Sequence, residues 1–229
     1  MPIKKILVAN RSEIAIRVFR AANELGLKTV AAFAEEDKLA LHRFKADEAY
    51  LIGKGKGPVE AYLQIDEYIR IARISGADAI HPGYGLLSES PEFVDACEDA
   101  GLIFIGPRAQ TMRDLGNKVA ARNMAIASNV PVVPATVALP DDPEAIRKLA
   151  AEIGYPLMLK ASWGGGGRGM RAIETEAELA PALQVARREA LAAFGNDEVY
   201  LEKLVRHARH VEVQVFGDLH GNLVHLFER

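Results

Sequence analysis

A single cysteine, Cys97, in 229 residues leaves no partner for an internal disulfide. The fold therefore rests on packing, and a reducing compartment such as the cytoplasm is expected. Charge is nearly balanced, with 28 Lys and Arg against 31 Asp and Glu and a net charge of −3. Without a basic surplus the phosphodiester backbone gains little, so nucleic acid is excluded as the main partner. No apolar run approaches the roughly 20 residues that span a bilayer, so no membrane partner is expected. The opening MPIKKILVAN has two lysines and only a brief apolar run, which suits a β-strand rather than a signal peptide. Both common phosphate-binding glycine signatures are missing. No GxxxxGK[ST] occurs, and the first strand runs into LVANRSEIA rather than GxGxxG.

What the chain does have is the stretch LMLKASWGGGGRGMRAIE, from Leu157 to Glu174. Four glycines, Gly164, Gly165, Gly166 and Gly167, stand between two apolar runs, with Lys160 before them and Arg168 after. A glycine tract loses much backbone entropy on folding. A hairpin tip with almost no side chains can lie flat over polyphosphate, with backbone N–H groups aimed at anionic oxygens. Lys160 would add a point charge and Arg168 a forked donor. The same composition suits a flexible tip that binds nothing. The flanking strands and the two cations favour phosphate, and a flap that closes on nucleotide and excludes water.

Periodicity supplies the frame. KKILVA reads as a buried strand. SEIAIRVFRAANELG reads as a helix with Ile14, Val18, Ala21, Ala22 and Leu25 on one side, Ser12 as N-cap and Gly26 as stop. KTVAAFA is a second strand, VEAYLQIDEYIRIARIS a helix, ADAIHPGYG a strand leaving into a loop, SPEFVDACEDAG a helix and LIFIG a strand. Such alternation predicts an α/β class with a parallel sheet. TMRDLGNKVAARNMAIAS reads as one helix weakened by Gly116. NVPVVPATVALPDDP holds four prolines, so it predicts neither helix nor central strand but a crossing to a second unit. There follow a helix EAIRKLAAEIG, a strand PLMLKAS, the glycine tract, a strand GMRAIE, a long helix EAELAPALQVARREALAAFG and a strand EVYLEKLV. HVEVQVFG alternates as a half-buried strand, turned by DLHGN into LVHLFER.

Several of these segments stand in the order of one family. KILVANRSEIAIRVFRA, DAIHPGYGLLSESPEF, IFIGP, GNKVAARNMA, KASWGGGGRGMR, AFGNDEVYLEKLV and RHVEVQVFGD resemble the N-terminal part of a biotin carboxylase domain, an ATP-grasp enzyme of the biotin-dependent carboxylases. Trp163 in ASWGGGG, with LLSESPEF and VPVVPAT, is most similar to the pyruvate carboxylase branch. Acyl-CoA carboxylases share most of the motifs. Carbamoyl-phosphate and glycinamide-type synthetases also join an α/β domain to a glycine flap, but are not expected to show HPGYG, KASWGGGGRGMR and RHVEVQ together. The resemblance implies a Rossmann-like pre-ATP-grasp domain over residues 1–133. An ATP-grasp flap subdomain would follow over 134–203, then the start of the C-terminal ATP-grasp core over 204–229. It also implies ATP, Mg2+ and bicarbonate, and a biotin carried on another domain. Carried over by position, Lys118 and Lys160 are the phosphate-contacting lysines, and Gly164 to Gly167 the flap. Glu202, Lys203 and Leu204 form the adenine-holding hinge strand, and His210 contacts ribose.

Read alone, each of these has a plainer role. Lys118 suits a solvated helix, Glu202 and Lys203 a surface pair, and His210 an exposed cluster with Arg206, His207 and Arg209. His81 suits a residue that fixes its loop, and Cys97 a buried, inert thiol. The family's metal-binding E-x-N segment and the MKM carrier tripeptide are missing from these residues. The catalytic residues and Mg2+ ligands are therefore expected downstream of Arg229. The 229 residues are expected to be a fragment of a longer carboxylase, inactive alone. The intact protein is expected to be a homo-oligomer, with Arg17, Arg20 and Glu24 at a dimer surface. A non-catalytic dimerisation module is the alternative.

Overall fold

A computed structural model describes residues 2–163, 170–218 and 220–229. The chain forms two compact units, Met1–Met124 and Ala125–Arg229.

In the first unit the order is β1 (Lys5–Val8), α1 (Ser12–Glu24), β2 (Lys28–Phe33), β3 (Glu48–Leu51), α2 (Ile65–Ser75), β4 (Ala79–His81), α3 (Pro91–Asp99), β5 (Ile103–Phe104) and α4 (Ala109–Gly116). Among the described residues these strands make one sheet, ordered β3-β2-β1-β4-β5, with every pairing parallel. Both of its faces are covered. Leu7, Val30 and Ile80 pack with Tyr68 and Ile71 of α2 and Phe93 of α3. Val8 and Ala31 pack with Ala15, Val18 and Phe19 of α1 on the other face. This is why β1 is a continuous apolar run rather than an alternating one. Each fully buried aliphatic or aromatic side chain contributes about 1.5–3 kcal/mol.

Local chemistry sets the helix ends. The Ser90 hydroxyl accepts from the Phe93 amide, and Pro91 occupies the first turn of α3. α2 ends at Gly76 with φ +66°. Three sequence expectations are corrected. Ser12 does not cap α1: it is the first helical residue, with φ +57°, and Arg11 precedes it without a side-chain cap bond. The helix expected from Val59 to Ser75 is broken, because a short 3-10 turn over Glu60–Leu63 ends at Gln64 before α2 begins. The single helix expected around Gly116 is two, α4 and α5 (Lys118–Ala127). Asn117 turns extended between them, and its Oδ1 accepts from the Val119 and Ala120 amides at 2.9 and 3.0 Å. An asparagine cap, not glycine flexibility, separates them. The division between the units falls inside α5.

The second unit holds α6 (Pro143–Ile153), β6 (Leu157–Ala161), β7 (Arg171–Ile173), α7 (Glu176–Phe194), β8 (Val199–Lys203), β9 (Val213–Gly217) and β10 (Leu223–Glu228). Asp142 caps α6 through the Glu144 and Ala145 amides, with Pro143 next. Among the described residues, β6 is the centre of a three-stranded antiparallel sheet ordered β7-β6-β8. One face, with Leu157, Leu159, Ala161, Ile173, Val199 and Leu201, packs on Ile146 and Ala150 of α6 and on Leu179, Ala186 and Ala190 of α7.

β9 and β10 form a separate antiparallel hairpin. Asp218 Oδ1 organises its turn by accepting from the His220 and Asn222 amides at 2.8 and 2.9 Å. The half-buried strand expected here is overturned, because apolar side chains are exposed on both faces. Val213 and Val215 lie on one side and Phe216 on the other, each more than half exposed. Alternation correctly marked a strand but could not supply a layer to cover it.

Candidate functional site

The antiparallel register of β6 and β8 sets Lys160 opposite Tyr200 and Met158 opposite Glu202. Side chains two apart share a face, so Met158 and Lys160 stand together opposite the apolar core, with Tyr200 and Glu202 beside them. The Lys160 ammonium pairs with the Glu202 carboxylate, and the two side chains are 20% and 22% exposed. Tyr200 Oη lies 3.5 Å from the other carboxylate oxygen. A rigid strand thus presents a partly desolvated ammonium that can exchange its carboxylate for phosphate. The carboxylate beside it can accept from an amino group.

The rest of the expected hinge is engaged internally. Lys203 Nζ donates to the Gly154 and Tyr155 carbonyls at 2.8 and 3.0 Å, so its side chain braces β8 rather than pairing with Glu202. The Lys203 amide donates to Pro134 O at 2.8 Å and the Leu204 amide to Pro156 O at 3.2 Å. A ligand contacting this stretch would therefore use other groups, the Glu202 carboxylate among them. β6 and β7 pair as the two arms expected on either side of the glycine tract. Gly164, Gly165, Gly166, Gly167 and Arg168 themselves lie outside the described residues.

Lys118 is the first residue of α5. An ammonium there adds to the positive end of the helix dipole, an arrangement that favours anions. It belongs to the first unit and the other candidate residues to the second. His210 is exposed beyond β8, with Nε2 3.4 Å from Glu212 Oε2. Arg206, His207 and Arg209 are exposed with it.

A second concave region lies in the first unit, where the chain leaves β1 and β4 at their carboxyl ends. Their loops diverge there, as at the binding crevice of open parallel sheets. Asn10, Arg11, Glu13, Tyr84 and Leu86 line a cavity of about 280 Å3. Asn10, a residue the sequence did not single out, ties the two loops together by donating to the Pro82 and Tyr84 carbonyls at 2.7 and 2.8 Å. The Gly83 amide donates to His81 Nδ1 at 2.9 Å, and burial pushes the imidazole's pKa down. His81 is therefore neutral and fixes its own loop. Burial likewise pushes the Cys97 thiol up to about 12, as befits an inert core residue.

Comparisons with known proteins agree with this fold. The biotin carboxylase N-terminal domain family matches residues 2–112, and the family described as carbamoyl-phosphate synthase L chain, ATP binding domain, matches residues 117–229. Pyruvate carboxylase of Bacillus subtilis is 52% identical over 227 residues, 99% of this chain and 20% of its own length. A structure of Rhizobium etli pyruvate carboxylase with the activator acetyl coenzyme A is 72% identical, with a TM-score of 0.92 over all of this chain and 20% of its own. The biotin carboxylase domain of Hydrogenobacter thermophilus 2-oxoglutarate carboxylase, solved with MgADP, ADP and bicarbonate, is 44% identical. Its TM-score is 0.94, over all of this chain and 50% of its own. The chain spans about a fifth of the length of the curated relatives it matches. It belongs to the biotin carboxylase family of biotin-dependent carboxylases and corresponds to the N-terminal part of the biotin carboxylase domain.

Proposed function

We propose that this chain is the nucleotide-binding portion of a biotin carboxylase, within a protein that acts as a pyruvate carboxylase. In that reading bicarbonate attacks the γ-phosphorus of ATP, giving carboxyphosphate and ADP. The carboxyl group, or CO2 released from the intermediate, then goes to the ureido nitrogen of biotin on a carrier domain, and phosphate leaves. A further domain passes the group to pyruvate, giving oxaloacetate.

The observation that carries the reading is the pairing of Lys160 with Glu202 on the polar face of the β6–β8 sheet, beside the arms of the glycine tract. Lys160 and Lys118 would contact phosphate, with the glycines and Arg168 closing over it. The hinge strand Glu202–Leu204 would hold the base, and His210 the ribose. Among the described residues no group of three or more His, Cys, Asp or Glu side chains could hold a metal. Mg2+ would therefore need ligands from elsewhere, and no step is assigned to it.

The two-faced apolar hairpin β9–β10 supports the view that these 229 residues do not complete the cleft and are inactive alone. One free, buried thiol and no described helix long and apolar enough to cross a membrane are consistent with the cytoplasm. The acceptor is pyruvate in this reading, although the Hydrogenobacter relative is a 2-oxoglutarate carboxylase. Homo-oligomerisation would use the first unit. On α1, Arg20 already pairs with Glu24 at 3.1 Å, which leaves Arg17 as the freer contact.

The test is bicarbonate-dependent ATP hydrolysis by the 229-residue polypeptide, with calorimetric titration of MgATP alongside. Heat of binding without turnover is expected. Turnover at the rate of an intact carboxylase would contradict the proposed inactivity, and no heat at all would contradict the nucleotide reading.

A further inference from the structure

Lys160 lies opposite Tyr200 and Glu202 opposite Met158, so the two charged side chains meet diagonally across β6 and β8, where each is engaged by the other. The second carboxylate oxygen of Glu202 lies 3.5 Å from Tyr200 Oη. The side chains are 20% and 22% exposed. Neither is sealed from solvent, yet water compensates little for a broken pair, and a lone charge left there is unfavourable. An anion that takes the Lys160 ammonium leaves Glu202 unpaired beside a second negative charge. An amino group that takes the Glu202 carboxylate removes that penalty. In the opposite order, an amino group that draws Glu202 away leaves Lys160 free for an anion. Neighbouring donors cannot stand in for Lys160. Lys203 Nζ is held by the Gly154 and Tyr155 carbonyls, and the Lys203 and Leu204 amides donate to Pro134 O and Pro156 O.

We infer that the Lys160–Glu202 pair couples base recognition to phosphate binding, so that Glu202 selects an adenine nucleotide by releasing Lys160. This rests on the nucleotide reading above and adds a regulation of the same site. A base with an exocyclic amino group at the hinge takes the carboxylate and hands the ammonium to the phosphates. A base with a carbonyl oxygen at that place, as in hypoxanthine, repels the carboxylate and leaves the pair closed. The two ends of the nucleotide bind with positive cooperativity, and the coupling is reciprocal. Discrimination comes from the penalty against the wrong base as much as from contacts to the right one.

The experiment is calorimetry on the full-length natural protein. It measures affinity for magnesium pyrophosphate alone and with near-saturating adenine or hypoxanthine. The pyrophosphate titration is then repeated in Glu202→Gln, Lys160→Met and the double variant. Adenine is expected to tighten pyrophosphate binding about tenfold, within the usual range for coupled sites, and hypoxanthine to leave it unchanged. Glu202→Gln should tighten pyrophosphate by a similar factor without adenine, and adenine should add nothing further. That tightening should vanish when Glu202→Gln is made in the Lys160→Met background. Pyrophosphate affinity that is indifferent to adenine in wild type overturns the inference, whether or not the variants fold. Tightening that persists in the Lys160→Met background also overturns it, because the effect is then plain repulsion by Glu202 and not release of Lys160. Either result leaves the nucleotide reading intact where wild type binds MgADP. Wild type that binds no MgADP overturns that reading, and this inference with it.

Discussion

Replacing Glu202 by glutamine removes the charge facing Lys160 while keeping the side chain's shape. The pair joins strands 42 residues apart in sequence, and both side chains are about four-fifths buried. Exposed ion pairs contribute about 0–1 kcal/mol, and losing one partner of a fully buried pair costs about 3–5. This intermediate burial places Glu202→Gln, and separately Lys160→Met, at about 1–3 kcal/mol each. The double variant Lys160→Met/Glu202→Gln leaves no lone charge and should lose about as much as one single variant, giving a coupling of about 1–3 kcal/mol. The chain's one tryptophan, Trp163, lies in the second unit and is 40% exposed. Its fluorescence therefore reports unfolding of that unit in urea. Should the two single effects simply add in the double variant, the ion pair contributes nothing and the reasoning fails.

Three further predictions concern the rest of the chain. His42 is fully buried, with Nε2 3.2 Å from Ala32 O and Nδ1 without a partner among the described residues, and burial pushes its pKa below the ordinary 6.5, as it does for His81. Between the folded and ordinary values the unfolded chain binds more protons, so stability is full above about pH 6.5 and falls as pH drops below it. The urea midpoint should be lower at pH 5.5 than at pH 7.5, and less so in His42→Leu; an equal or higher midpoint at pH 5.5 is the contrary result. Gly83 has φ +66°, and a Cβ there would meet Asn10 Nδ2 at 2.7 Å. Gly83→Ala should therefore cost about 1–3 kcal/mol in chemical denaturation, and a neutral effect would show that the loop yields. On β9–β10, changing Val215, Phe216, Leu226 and Phe227 to threonine should reduce hydrophobic dye binding without lowering the melting temperature; a lowered melting temperature would mean that these side chains are packed.

Much of the fold was legible because its signals were local. β1, α1, β2, α2, β4 and α3 each carry their own local pattern, with Gly26 just beyond the end of α1, whereas the Ser90 cap of α3 was not singled out. β3 was missed: it is the sheet's outer strand, EAYL, partly exposed throughout and without alternation. The break at Asn117 was hidden because Gly116 drew attention from the neighbouring cap. At the site, Lys160 and Glu202 were named, but their pairing follows from the β6–β8 register, which no local pattern encodes. Asn10 was passed over for the same reason. Its meaning is a tie across 72 residues.

The most direct measurement is a crystal structure of the chain with MgADP or a nonhydrolysable ATP analogue. The account predicts phosphate oxygens within hydrogen-bond distance of Lys160 Nζ, with the Glu202 carboxylate turned to the base. A nucleotide resting elsewhere, with Lys160 still paired to Glu202 and the face beside the glycine tract filled only by water, would contradict it.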